Sequence, residues 1–169
     1  YGGHVQLLAD ISGAIDQPEQ WQGRMYMALE QIQLKSWFND YWQLFDFVAD
    51  GKLDANVWID WQQLQVQQIH AVVSGERMAL HYLNNSVQSW KLDQLMGNLR
   101  WQQNAQGWRA DVSGLEIQRN QLHWRQPTAL SLEMDTQQRQ LNLNASYLQV
   151  DGLSYMAGLV NSFLPQDVD

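Results

Sequence analysis

Four histidines, His4, His70, His81 and His123, are the side chains of this sequence best suited to moving a proton or holding a metal near neutral pH. Their spacing suits neither task. No two stand one helical turn apart, no H-E-x-x-H run occurs, and there is no cysteine to complete a zinc site. Each reads as an ordinary strand residue. Among the carboxylates, Asp54 and Asp60 share a parity and point the same way from one strand. Six residues of strand is about 20 Å, far beyond a glycosidase pair, so both read as solvated face charges. Ser74-Gly75 and Ser113-Gly114 lack the G-x-S-x-G setting of a nucleophile and read as turn residues. No glycine-rich loop follows a strand and opens a helix, which leaves nucleotide phosphate without a cradle. The sequons at Asn84 and Asn144 are chance-level matches. The expectation is a protein that is not an enzyme and needs no metal or other cofactor.

Composition narrows the classes further. The 169 residues carry 10 basic and 18 acidic side chains, a formal charge of −8, which repels phosphate backbones and argues against a nucleic-acid partner. The chain is long enough for one domain with a core and no disulfide. It opens at Tyr1 rather than Met and has no signal peptide and no run of about 20 apolar residues, so any anchor is expected outside this segment. Nine Trp and 25 Gln are the unusual counts.

The elements that would position these residues are strands. In Lys52–Trp61 the residues Leu53, Ala55, Val57, Ile59 and Trp61 take one face, and Asp54, Asn56 and Asp60 the other, as in a half-buried antiparallel strand. Gly23–Lys35 reads the same way, with a change of parity that predicts a bulge near Glu30-Gln31. Val5 to Ile11 alternates too. Further strands are expected at 64–73, 77–83, 88–93, 95–102, 107–113, 115–124, 128–135 and 139–150, separated by polar turns at 74–76, 83–86, 103–107 and 136–138. That is an all-β, mainly antiparallel meander. Two segments have helical spacing instead: about 39–50, with Asn39 as N-cap and Gly51 after its end, and about 151–164, with Asp151 as N-cap and Pro165 beyond. Nothing divides the chain 1–169 into separate domains.

Trp in a Gln- and Asn-rich β domain suggests a carbohydrate-binding module. Parity argues against it: Trp61, Trp90, Trp101, Trp108 and Trp124 fall on the aliphatic face, where aromatics belong to a core, and Trp58 is the exception. A sheet with one apolar face must cover it by a second sheet, by helices or by a ligand. Two short helices are too little. Closure into a sandwich or barrel acting as a structural spacer, and a long curved, half-open groove holding lipid, both satisfy the pattern, and closure is the commoner solution.

The stretches Gly51-Lys-Leu-Asp-Ala-Asn-Val-Trp-Ile-Asp-Trp61, Ser89-Trp-Lys-Leu-Asp-Gln-Leu-Met-Gly-Asn-Leu-Arg-Trp101, Gly107-Trp-Arg-Ala-Asp-Val-Ser-Gly-Leu-Glu-Ile117 and Leu122-His-Trp124 resemble the repeated β segments of the YhdP-like family. These are large Gram-negative proteins of the AsmA-like group, related in architecture to TamB. The resemblance covers about residues 51 to 153. It implies a periplasmic β-groove with an apolar interior in a protein anchored in the inner membrane. It also implies movement of phospholipid or another acyl-chain lipid between inner and outer membranes, in support of outer-membrane integrity, with neighbouring β segments of the same chain continuing the groove. No single-residue motif is carried over. On that resemblance the groove lining is expected at Val5, Leu7, Ala9, Ile11, Leu53, Val57, Ile59, Val66, Leu99, Val112, Leu130, Leu132 and Leu143, solvating acyl chains at roughly 0.8 kcal/mol per buried methylene. The two helices would cap or pack against the groove, since their few cations do not favour anionic headgroups.

Overall fold

A computed structural model describes residues 3–36, 47–82, 89–126 and 128–147, with the backbone alone at 47, 48, 80–82, 89 and 90. Alternation of apolar and polar residues over most of the chain produces nine strands: β1 His4–Ser12, β2 Gln22–Gln33, β3 Phe47–Gln62, β4 Gln65–Tyr82, β5 Ser89–Asn104, β6 Gly107–Arg119, β7 Leu122–Gln126, β8 Leu130–Asp135 and β9 Gln140–Ala145. They form one antiparallel sheet in sequential order, with β7 and β8 sharing the far edge of β6: β8 pairs its first half and β7 its second. β1 and β9 end the sheet and do not meet, so it is open, and every substantial contact between strands is between hydrogen-bonded neighbours. Among the described residues the strands make a single layer. Of the two solutions the sequence left open, closure is not the one taken.

The turns follow from local chemistry. Asn104 Oδ1 accepts from the backbone N–H of Gln106 and Gly107, and Asp135 Oδ1 accepts from those of Gln137 and Gln138, which shapes the hairpins at 105–106 and 136–139. Between β3 and β4, Gln63 and Leu64 both take positive φ, 53° and 60°, in a two-residue hairpin turn without glycine. Leu64, expected to start a strand, is therefore a turn residue. The expected bulge near Glu30-Gln31 is present: pairing of β2 with β3 slips between Leu29 and Ile32, and Gln31 adopts φ 53°. The Asp54 carboxylate holds the bulge by accepting from the Gln31 backbone N–H at 2.6 Å.

Several expected boundaries are corrected. The turn at 74–76 does not exist: β4 runs through it, because Gly75 has no side chain and the Met78 thioether occupies the space a Cβ would fill. The expected strands 88–93 and 95–102 are one strand, β5. The break expected at Ser113-Gly114 is a kink within β6, where Gly114 has φ 59°. The helix expected over 39–50 is corrected at its end, since Phe47–Asp50 begin β3, and pairing with β4 outweighs their helical spacing. Its earlier residues, the turn at 83–86 and the helix expected at 151–164 lie outside the described residues. A brief 3₁₀ turn at Pro18–Gln20 joins β1 to β2.

Candidate functional site

Directly paired residues in an antiparallel sheet project to the same face. Following the pairs from strand to strand therefore draws rows across the sheet. One row runs Leu7, Met27, Val57, Ala71, Leu99, Val112, Leu130, Ala145. The next, two residues along each strand, runs Ala9, Met25, Ile59, Ile69, Trp101, Ala110, Leu132, Leu143. All of these are apolar. With strands about 4.8 Å apart, each row is roughly 34 Å long, and the two lie about 7 Å from each other.

Nine of the thirteen residues expected to line a groove stand in these two rows. The other four are on the same face: Val5 opposite Leu29, Ile11 opposite Gly23, Leu53 opposite Ile32 and Val66 opposite Trp61. All thirteen are thus brought onto one surface. Met25, Met27, Ile69 and Ala71 belong to it as well and were absent from the expected set, although their parity was readable. No second layer of described residues covers this face, and Leu7, Ile11 and Leu143 remain 57%, 51% and 74% exposed. Burial is concentrated toward one end of the strands, at Ile32, Leu92 and Trp124. Gln126, also on this side of the sheet, is fully buried and donates from Nε2 to the Tyr147 carbonyl at 2.5 Å.

The opposite face is mainly polar, and several of its side chains are paired with one another. The row behind the apolar ones reads Asp10, Arg24, Asp60, Gln68, Gln102, Arg109, Glu133, Asn142. Arg24 donates to both oxygens of Asp60, at 2.6 and 3.0 Å, and this holds the Asp60 carboxyl below the usual carboxylate range against a smaller upward push from desolvation. Arg109 donates to Asp111, Glu133 and Ser131, and its hydrogen bond to Asp111 lowers that carboxyl, helped by the Ser131 hydroxyl. Asp54 is engaged with Gln31, so Asp54 and Asp60 serve separate structural partners.

Trp58 stands on this polar face beside a hollow of about 240 Å³ lined by Arg24, Asp60, Gln68 and His70. Its indole stacks on His70, centroids 5.2 Å apart and 20° between planes, and meets Tyr26 on the other side at 5.3 Å. Trp58 is thus flanked by two rings of its own sheet rather than presented as an isolated stacking platform. Of the other Trp, Trp61, Trp101, Trp108 and Trp124 are on the apolar face as their parity implied. The side chain of Trp90, and all of Trp37 and Trp42, lie outside the described residues. All four His are in strands, at β1, β4 and β7, and no group of three or more potential metal ligands occurs among the described residues.

No curated protein and no solved structure matches the chain. A family model described as "YhdP protein" matches residues 1–168.

Proposed function

The chain belongs to the YhdP family, and from that premise we propose that it is a non-enzymatic section of a hydrophobic conduit that carries phospholipid tails along the apolar face of its sheet. The family's setting is AsmA-like lipid transport in the Gram-negative envelope. In the proposed reading the segment lies in the periplasm, in a protein anchored to the inner membrane elsewhere along its chain, and the lipid passes between the two membranes.

The observation that carries the reading is the pair of eight-residue apolar rows on a face that no second layer of described residues covers. A monomeric domain does not ordinarily leave such a continuous surface to water. The rows cross the strands, so a tail lying along a row passes over one strand after another. Half of a roughly 30 Å bilayer core is the length of one tail, and a row of roughly 34 Å accommodates two end to end. Movement along the conduit then requires no bond to be made or broken, only the apolar side chains of the two rows.

The test is a photo-crosslinking residue placed in the full-length protein in cells, at Val57 or Leu132 on the apolar face and at Asp54 or Asn56 on the polar one. Phospholipid adducts are expected at the first pair and not at the second. Equal labelling of both faces would sink the proposal.

A further inference from the structure

The two long margins of the sheet, where the strands begin and end, differ in chemistry. One carries the turns at 63–64, 105–106 and 136–139 and the connection from β1 to β2. On the apolar face beside it stand Trp61, Trp101 and Trp108, all half-buried, each within four residues of a turn. Trp61 lies over Gly23, which has no side chain to obstruct it: a Cβ there would come within 2.8 Å of the indole nitrogen. None of these three indole N–H groups donates to a protein acceptor among the described residues. Trp21, by contrast, donates to the Ala14 carbonyl at 2.7 Å. At the opposite margin the described indole is Trp124, which is buried and has a partner.

Half-buried indoles with a free N–H are what a boundary between hydrocarbon and a polar layer favours, because the ring is apolar and its edge donates. The exposed amides of Gln62, Gln63, Gln65, Gln102, Gln103 and Gln106 flank the same turns. The charges at this margin lean acidic. Arg24 and Arg109 are tied to carboxylates, and Asp16, Glu19 and Asp135 outnumber the remaining Arg139. An anionic headgroup meets net repulsion there, whereas a headgroup that joins a phosphate to an amine finds indole donors for the first and a margin of net negative charge for the second.

We infer that a phospholipid on this face sets its tails in the two apolar rows, the nearer of which ends its hydrocarbon character at Trp101, and its headgroup just outside them at the turns beside Trp61, Trp101 and Trp108, and that this margin takes zwitterionic headgroups in preference to anionic ones. The inference rests on the lipid reading and adds to it an orientation and a class of substrate.

The experiment uses the unaltered full-length protein with two synthetic phosphatidylethanolamines, one carrying a diazirine in the headgroup and one at the end of a tail. After photolysis, adducts are mapped by digestion and mass spectrometry. Headgroup adducts are expected within residues 61–65 and 101–108, and tail adducts at Val57, Ala71 and Leu99. Headgroup adducts at Leu53, Leu95 and Ile117 instead, with tail adducts still in the rows, would overturn the orientation and leave the lipid reading standing. Absence of adducts from the apolar face with both probes would overturn the lipid reading itself. In competition, unlabelled phosphatidylethanolamine is expected to displace the headgroup probe at about threefold lower concentration than phosphatidylglycerol, the scale of one exposed charge interaction. Equal or better competition by phosphatidylglycerol would overturn the headgroup assignment.

Discussion

Val57 and Asn56 are adjacent in β3, yet their side chains leave the sheet on opposite sides, which makes them a matched pair. Val57 sits between Met27 and Ala71 in an apolar row, and Asn56 between Ala28 and Val72 on the polar face. About four methylenes of an extended tail lie over each strand at a strand spacing of about 4.8 Å. At about 0.8 kcal/mol per fully buried methylene, with a one-sided surface covering about half of each, one row position is worth about 1.5 kcal/mol to the tail. Val57→Asp forfeits that and adds a carboxylate that the tail would have to desolvate, so occupancy should fall by about tenfold or more. Asn56→Asp adds the same charge to an already polar, exposed face and should leave occupancy within about twofold, since exposed charges interact weakly. The assay is the yield of adducts to a phospholipid bearing a diazirine on its tail, with the full-length protein at matched concentration. Circular dichroism and the thermal midpoint report whether each variant folds, and Val57→Ala, which trims volume without polarity, should retain most binding. If folded Val57→Asp and Asn56→Asp give equal yields, the assignment of tails to this face is wrong.

Other expectations follow from the packing and the charges. Ile32→Ala removes a side chain with 0% exposure and should cost about 2–5 kcal/mol in denaturant unfolding, whereas Leu143→Ala, at 74% exposure, should change it by less than about 0.5 kcal/mol. Gly75→Val should destabilise the protein because its side chain takes the place of the Met78 thioether, and adding Met78→Ala should recover part of the loss in the same measurement. Asp60 and Asp111 have carboxyls held below their ordinary range, so their contribution to stability is fully present above the unfolded carboxylate pKa and is lost as pH falls through the lower folded values. Acid titration of the thermal midpoint should therefore show a fall at low pH that is smaller in Asp60→Asn and Asp111→Asn.

The face of each residue was legible in the sequence because strand parity survives assembly: antiparallel pairing joins like to like, and Leu53, Val57, Leu99 and Leu132 keep in the sheet the side they had in the strand. The bulge at Gln31 was legible for the same reason, since parity cannot change without one. Strand ends were less so. Gly75 resembles a turn glycine until the thioether of Met78, three residues on, is seen to need its space. Gln63 and Leu64 carry no turn signature because that hairpin is fixed by its flanking strands. Phe47–Asp50 have helical spacing but find a strand partner in residues distant along the chain. The openness of the sheet was beyond the residues' reach, because closure depends on whether β1 meets β9, and alternation within a strand is identical in a barrel and in an open layer. The asymmetry between the margins was likewise hidden until pairing set Trp61, Trp101 and Trp108 at the same end of their strands.

The sequential strand order also bears on how such a molecule is made. Except at β7 and β8, which share an edge, each strand pairs with the strand just before it, and none waits for a distant partner. Long-range closure is what slows β-rich proteins and leaves edges exposed while they search. Here the sheet can zip one hairpin at a time from the N-terminal side as the chain emerges, each completed strand templating the next. The same independence lets a hairpin be inserted or deleted without disturbing pairings elsewhere, so the length of the sheet can change in steps of two strands.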